Sequence, residues 1–518
     1  MKKFSLIAIV LLAVSFSAGA QGREDALRYS EQNYVGSART IAMGNAFTAL
    51  GGDLGALSIN PASSALYNCC EFAITSGFQW ETNKAVFSTS ENDYTSPVAK
   101  RTVFTVPNIS VVFALPTGRD RGLVNTTFGF GYNKIANFNT HVSFNGNHTG
   151  SSLLGNLAEG LEGVDNSELL ADDAFEVGYC TNQEILAFDA FLLNPYHNMT
   201  DSYLGATENE WTDGLGVDNI LNMNYDRIRK GGIYDMAFNF GLNFSDKLYI
   251  GANLNFNIVN FVDDLLYEED GMLAGNYFQS GFKSMSYNYW QQTDGVGVNA
   301  QIGAIWVPTR FLRLGASYTT PTLYNLTDTW QETMVSEFDG TTDCKSVTSQ
   351  SPWKSYQYQV KAPQRYSLGA AFVFGRSGLV SIDYESTKYY NTKMADGNGN
   401  QNTFNDVNDI IQRTCSKCDI LRLGCELNTF NDCSLRAGYN IYLYDIPYRY
   451  VSFGLGKRVS ENSTLDFAFR YRLTDNYSMK PYDDYAFDDT VMEYKCEAPA
   501  AGIANRAYDL LLTWRVKF

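Results

Sequence analysis

Several things are scarce in this chain. After residue 20 no apolar run approaches the roughly 18 residues that a membrane-crossing helix needs, so no transmembrane helix is expected. Histidine is nearly absent: His141, His148 and His197 are the only three. That leaves little for imidazole catalysis, and no enzyme is expected. Basic residues are also short, with 39 Lys and Arg against 56 Asp and Glu and a formal net charge of −17. A phosphate backbone demands a cationic surface, so this balance argues against nucleic acid as a partner. No fixed-period repeat is visible. No Cys follows the first apolar run, which argues against a lipid anchor. Cys415 and Cys418 form a CxxC, but no second pair stands at zinc spacing, so a loop thiol or a disulfide is the plainer reading. "DGNGN" (Asp396 to Asn400) begins like a calcium loop. Gln401, however, stands where the turn Gly belongs, and Val407 where the closing Glu belongs. No metal and no cofactor is expected.

What is present points to secretion and to β structure. "MKKFSLIAIVLLAVSFSAGA" has a basic start, an apolar run and small residues before Gln21, so residues 1–20 read as a signal peptide. From Glu71 onward, segments alternate with period two. In "AYDLLLTWRVKF", Tyr508, Leu510, Leu512, Trp514, Val516 and Phe518 share one face. In "YDMAFNFGLNFS", Met236, Phe238, Phe240, Leu242 and Phe244 oppose Asn239, Gly241 and Asn243. About fourteen such strands can be counted, an even number as bacterial barrels have. They centre near Phe78, Ser110, Phe130, Phe240, Leu254, Ala300, Gly315, Arg365, Ile382, Leu423, Ala437, Phe453, Phe467 and Leu512. Short connections ("SDK", "VPTR", "GRSG") alternate with long ones, the longest from 146 to 232. Turns on one rim and loops on the other suit a transmembrane barrel. Alternation alone does not distinguish it from a sandwich, since the apolar face points inward in a sandwich and outward in a membrane barrel. Two pieces of the longest loop, "SSLLGNLAEGLEGV" and "NQEILAFDAFLLNPY", look helical. They form either a self-packed lid or a ligand groove.

Residues 21–70 do not alternate. "SARTIAMGNAFTAL" has helical spacing, and Gly51-Gly52 stops it. Asp53 can cap a second helical piece. Asn60-Pro61 repeats the logic, with Asn as cap and Pro at the first helical position. About half of residues 36–65 are Gly, Ala or Ser, which allows close backbone approach. A fourteen-stranded barrel is too wide for its own side chains to fill, so this segment reads as a plug. "GSARTIAMGNAFTALGGDLGALSINPASSALY" resembles the N-terminal hatch of the FadL/TodX family of outer-membrane hydrophobic-compound transporters, with Asn60-Pro61-Ala62 at the place of that family's NPA element. "TVPNISVVFAL", "TDGVGVNAQIGAIWVPTRFLRLGASYTTP" and "KAPQRYSLGAAFVFG" are similar to its strand-and-turn segments. Phe518 resembles the C-terminal signal read by the barrel-assembly machinery.

The resemblance implies an all-β fold: a transmembrane antiparallel barrel of about 14 strands (71–518), its lumen plugged by a helical hatch (21–70). It implies location in the outer membrane, in contact with its lipid. It further implies passive movement of a long-chain fatty acid or another hydrophobic small molecule into the lumen, and then sideways through a gap that follows a kink in the third strand. Gly129 and Gly131 in "NTTFGFGYNKIANF" are the candidates for that kink; the alternative is that they only make room for the plug. The predicted lumen face is charged, with Arg365, Asp383, Glu385, Arg422, Glu426, Arg436, Asp466, Arg470, Arg472 and Arg515. Either these form a salt-bridge lattice tying wall to hatch, or Arg365 or Arg436 receives a carboxylate head group through two parallel hydrogen bonds. A second functional reading is a PorV-like barrel that binds secreted proteins. A water-filled general porin is disfavoured by the plug.

Overall fold

The computed structural model describes residues 22–518 except 89–92, 212–213, 217–218, 341–344, 430–431, 444–447 and 490–491. The expected signal peptide, residues 1–20, lies outside the described residues, as does most of the brief connection "DIPY".

The alternating segments become fourteen antiparallel strands that close on themselves. They are β1 (Glu71–Ser88), β2 (Ala99–Pro116), β3 (Leu123–Asn137, resuming as Thr140–His148), β4 (Leu221–Phe244), β5 (Leu248–Asp270) and β6 (Phe282–Thr309). Next come β7 (Leu312–Thr319 and Thr322–Phe338), β8 (Lys354–Ala362 and Arg365–Val373), β9 (Gly378–Lys388) and β10 (Lys417–Thr429). The circuit ends with β11 (Cys433–Leu443), β12 (Tyr448–Ser460), β13 (Ser463–Met479) and β14 (Ala500–Lys517). β14 pairs with β1 from Glu71↔Lys517 to Ser88↔Ala500, which leaves no free edge at the closure. Each expected strand centre falls on its own strand.

Which face is dry decides what kind of barrel this is. Phe78, Phe128, Phe240, Leu254, Phe453 and Leu512 point outward, each at least 40% exposed. Their opposite-face neighbours Asn239, Asn253, Asn255 and Thr513 are buried in the bore. An apolar belt right round the wall is unstable in water and is what hydrocarbon requires. Stacked outward aromatics, Trp80 on Tyr508 at 5.2 Å and Tyr471 on Tyr508 at 4.9 Å, lie along the belt. Such rings sit well where one end meets lipid and the other water. The wall is that of a membrane-spanning barrel.

The described residues before β1 lie inside the bore. Helix α1 (Arg23–Ser30) and helix α2 (Ala38–Ala42) lead to two 3-10 turns, Leu54–Ala56 and Pro61–Leu66. At the long-loop rim, α3 (Leu153–Gly160) and α4 (Asn182–Asp189) fall within the two helical-looking pieces. Their Leu154, Leu157, Ile185 and Leu186 share one apolar cluster with Phe144, Met223 and Met334 from the strand tops. The longest loop is thus folded down as a cap. Asp396 Oδ1 accepts from the backbone N–H of Asn398 and of Asn400, both at 2.9 Å, so "DGNGN" is a self-closed turn. Among the described residues no metal-holding cluster occurs, and Cys69, Cys70, Cys180, Cys415, Cys418, Cys425 and Cys496 are free thiols.

Candidate functional site

The small residues of the hatch meet small residues of the wall. Asp53 Oδ1 accepts the Gly55 N–H at 2.9 Å and the Ser37 hydroxyl at 2.6 Å. Asn60 Oδ1 accepts the Ala62 N–H at 3.0 Å, so both residues cap helical turns and both are fully buried. The other end of Asn60 ties hatch to wall, its Nδ2 donating to Thr48 O at 2.6 Å and Ala304 O at 3.3 Å. Gly51 and Gly52 turn the chain at φ +60° and +68°, a region that disfavours a Cβ.

Around the bore, Gly241, Gly251, Gly303, Gly315, Gly424 and Gly438 face the hatch from six strands. A Cβ on any of them would come within 2.0–2.5 Å of a hatch atom. At Gly251 that atom is the Pro61 carbonyl carbon, at 2.3 Å, and at Gly303 it is Asn60 Oδ1, at 2.0 Å. A ring of absent side chains lets one backbone rest directly on another.

Charge completes the seat. Arg39 of α2 donates to both oxygens of Glu426, from Nε at 2.9 Å and from Nη2 at 3.2 Å. Arg436 Nε donates to Glu426 and its Nη1 to Asp466, each at 2.6 Å, and Arg515 Nε reaches Asp466 at 2.8 Å. Arg422 holds Glu385 at 3.1 Å and Arg470 holds Asp509 at 2.6 Å. Arg436 is therefore held between two wall carboxylates. Arg365 is different. It faces the bore half-buried, near Asp235, Glu385 and Tyr324. Among the described residues it makes no hydrogen bond or close ion pair.

The ladder runs regularly through Gly129 and Gly131, which pair with Val112 and Ser110 on one side and Asn239 and Ala237 on the other. The kink expected at these glycines lies further along. A Cβ on Gly131 would meet Leu57 of the hatch at 3.1 Å, so the missing side chain there makes room for the plug. The break in β3 comes at Phe138 and Asn139, just after a shift of register at Ile135 against β4. β2 pairs with β3 only from Asn108↔Asn133 to Pro116↔Asn125, although β2 continues alongside β1 to Ala99. Past the break, β3 packs on the inner face of β1. Asn83 Nδ2 donates to His141 O at 2.7 Å, and Phe87 stacks on Phe144 at 5.8 Å. Because β3 turns inward, the wall opens beside the upper half of β2.

A cavity of about 710 Å³ occupies this opening, lined by Val103, Phe104, Val106, Ile109, Phe130 and Lys134 among others. The hatch takes up part of the lost pairing. The N–H of Asn33 donates to Ile135 O and that of Val35 to Lys134 O, both at 2.8 Å. Asn133, Lys134, Ile135 and Ala136 are buried in succession where a wall strand should alternate.

Two of the histidines sit in polar pairs. His141 Nε2 lies 3.0 Å from Asp226 Oδ2. His148 Nε2 is 2.8 Å from Ser151 Oγ, but that hydroxyl is fully buried and also meets Tyr482 Oη at 2.9 Å and Glu497 O at 3.0 Å. Burial alone pushes the His148 imidazole down to about 4.

No family model and no curated protein matches the chain. Solved structures do. The toluene transporter TodX of Pseudomonas putida is 14% identical, with 93% of this chain and 98% of that one covered at a TM-score of 0.50. A FadL homologue of Pseudomonas aeruginosa is 10% identical, with 94% and 99% covered at a TM-score of 0.52. At these identities the likeness establishes the fold, the barrel with hatch of the FadL/TodX transporters, over nearly the whole chain.

Proposed function

We propose that the chain is a passive outer-membrane transporter of long-chain fatty acids or other hydrophobic small molecules, which leave the bore sideways between β2 and β3. One observation carries this reading: the cavity at the interrupted ladder, lined by apolar side chains and contiguous with the outward belt. The hatch blocks the straight path along the bore, and the wall opening is the path that keeps an apolar molecule out of water. Arg365, with free donors facing the bore, is the candidate for a carboxylate head group there. Such a channel performs no chemical step. Uptake of labelled oleate by cells lacking their own fatty-acid porin tests the reading. Val106→Trp, which fills the opening, should cut uptake about tenfold while the barrel still assembles. Unchanged uptake rejects the sideways exit, and unchanged fatty-acid binding by Arg365→Ala rejects the head-group role.

A second reading has its own observation. From Ile135 to Asp226 the chain contains no Lys or Arg. The cap within that stretch exposes Leu170, Val177, Tyr179 and Phe191. An acidic surface with exposed apolar side chains suits a secreted-protein partner with a basic amphipathic face. Co-purification of a stoichiometric secreted protein would favour it; co-purified lipid would favour transport.

A further inference from the structure

Arg39, Arg227, Arg422, Arg436, Arg470 and Arg515 each rest on a carboxylate at 2.6–3.1 Å. At the wall opening the pattern changes. Lys134 is 1% exposed, and its Nζ donates to Gln79 Oε1 and Asn137 Oδ1, both at 2.8 Å. Both acceptors are neutral amides. An ammonium has three N–H donors; the third takes no hydrogen bond among the described residues, and the Tyr234 ring lies 5.9 Å from Nζ. Across the opening, Arg101 of β2 reaches only Asn139 Oδ1, at 3.4 Å from both Nε and Nη2. Asn139 in turn donates to Asn137 at 2.7 Å, so one run of amides joins the two cations. Lys134 and Asn139 both line the cavity. A chain with net charge −17 has carboxylates to spare, yet the hydrogen-bond acceptors of these two cations are amides, while Glu81 stands opposite Arg101 on β1. Amides orient a cation without neutralising it, so its charge stays available to an incoming anion.

We propose that the opening between β2 and β3 is a carboxylate site: Lys134, assisted by Arg101, binds the anionic head of an amphiphile while Val103, Phe104, Val106 and Ile109 receive its tail. The proposal rests on the transport reading and narrows it, since it makes ionised amphiphiles rather than neutral hydrocarbons the preferred cargo at the exit. Lys134 is thereby a specificity-determining residue.

The test uses the full chain in lipid nanodiscs at pH 7, with empty nanodiscs as reference, and two labelled probes of equal length, myristate and tetradecanol. The wild type should bind myristate about tenfold more tightly, the range of one charge-assisted hydrogen bond. Lys134→Met should abolish that preference and leave tetradecanol unchanged; Lys134→Arg should retain it, and Arg101→Gln should reduce it less. Equal binding of the two probes by the wild type overturns the carboxylate site and leaves hydrophobic transport standing, a result that needs no variant to fold. Binding of neither probe above the reference overturns both.

Discussion

The two ends of the bore are held by different forces. Towards the short turns, the hatch is locked by glycines that admit its backbone and by arginines bound to carboxylates. Under the long loops, the cap is held by apolar packing and by barrel carboxylates that receive its helix starts. There Glu269 accepts from the Ser152 hydroxyl at 2.5 Å and from the Leu153 N–H at 2.8 Å, and Glu332 accepts from Asn182 Nδ2 at 2.8 Å. The lower contacts are ionic and paired. Many of the upper ones are acidic without a base. The difference teaches that the hatch is built to stay, whereas the hold of the cap depends on the protonation of buried acids.

The most severe way to break the lower half is Arg436→Met, which strips both Glu426 and Asp466 of a partner inside the bore. Removing one member of a buried ionic set costs about 3–5 kcal/mol, and Arg39 and Arg515 remain to limit the loss. The midpoint of heat-modified gel mobility should fall clearly; an unchanged midpoint would mean that the lattice contributes nothing. Gly303→Ala comes next. Its Cβ would stand 2.0 Å from Asn60 Oδ1, and overpacking of this kind costs about 1–3 kcal/mol. Protease access to the hatch should rise, whereas Gly502→Ala, whose Cβ would meet nothing closer than 3.8 Å, should not change it.

The upper half is sharpened by pH. Burial, with Glu269 nearby, pushes the Glu208 carboxyl up to about 8, against the pull of the Gly205 N–H. Its value in the folded cap exceeds its ordinary one, so the capped state binds the proton more tightly than the opened state. The stabilisation is complete below the ordinary carboxyl range and is lost as pH rises towards 8. Hydrogen exchange at the cap should therefore speed up between pH 6 and 9 beyond the intrinsic rate, and Glu208→Gln should flatten that rise. An equal rise in the variant would contradict the assignment. The smallest effect belongs to the surface pair Arg458–Asp432, at 3.8 Å and well exposed. Arg458→Ala should change stability by less than about 0.5 kcal/mol, as denaturant titration would read it.

Strands were legible because each one alone records which face is wet. The caps Asp53 and Asn60 were legible because capping is local. Helix α1 went unread, although Glu24 and Asp25 in its first turn and Arg28 in its last follow helix polarity. What the sequence hid depends on register. Arg436 meets Glu426 because those residues stand opposite each other across β10 and β11, and Asp466 comes from two strands away. Glycines in β3 look alike whether they bend a strand or admit a plug, and only the facing Leu57 separates the two. The opening beside β2 arises from pairs that fail to form, and no single strand encodes that.

Single-channel recording of the intact chain in a planar bilayer tests the stoppered barrel most directly. The account predicts no large open steps across the physiological voltage range, because the hatch fills the bore. Stable steps of the size a general porin gives would contradict it.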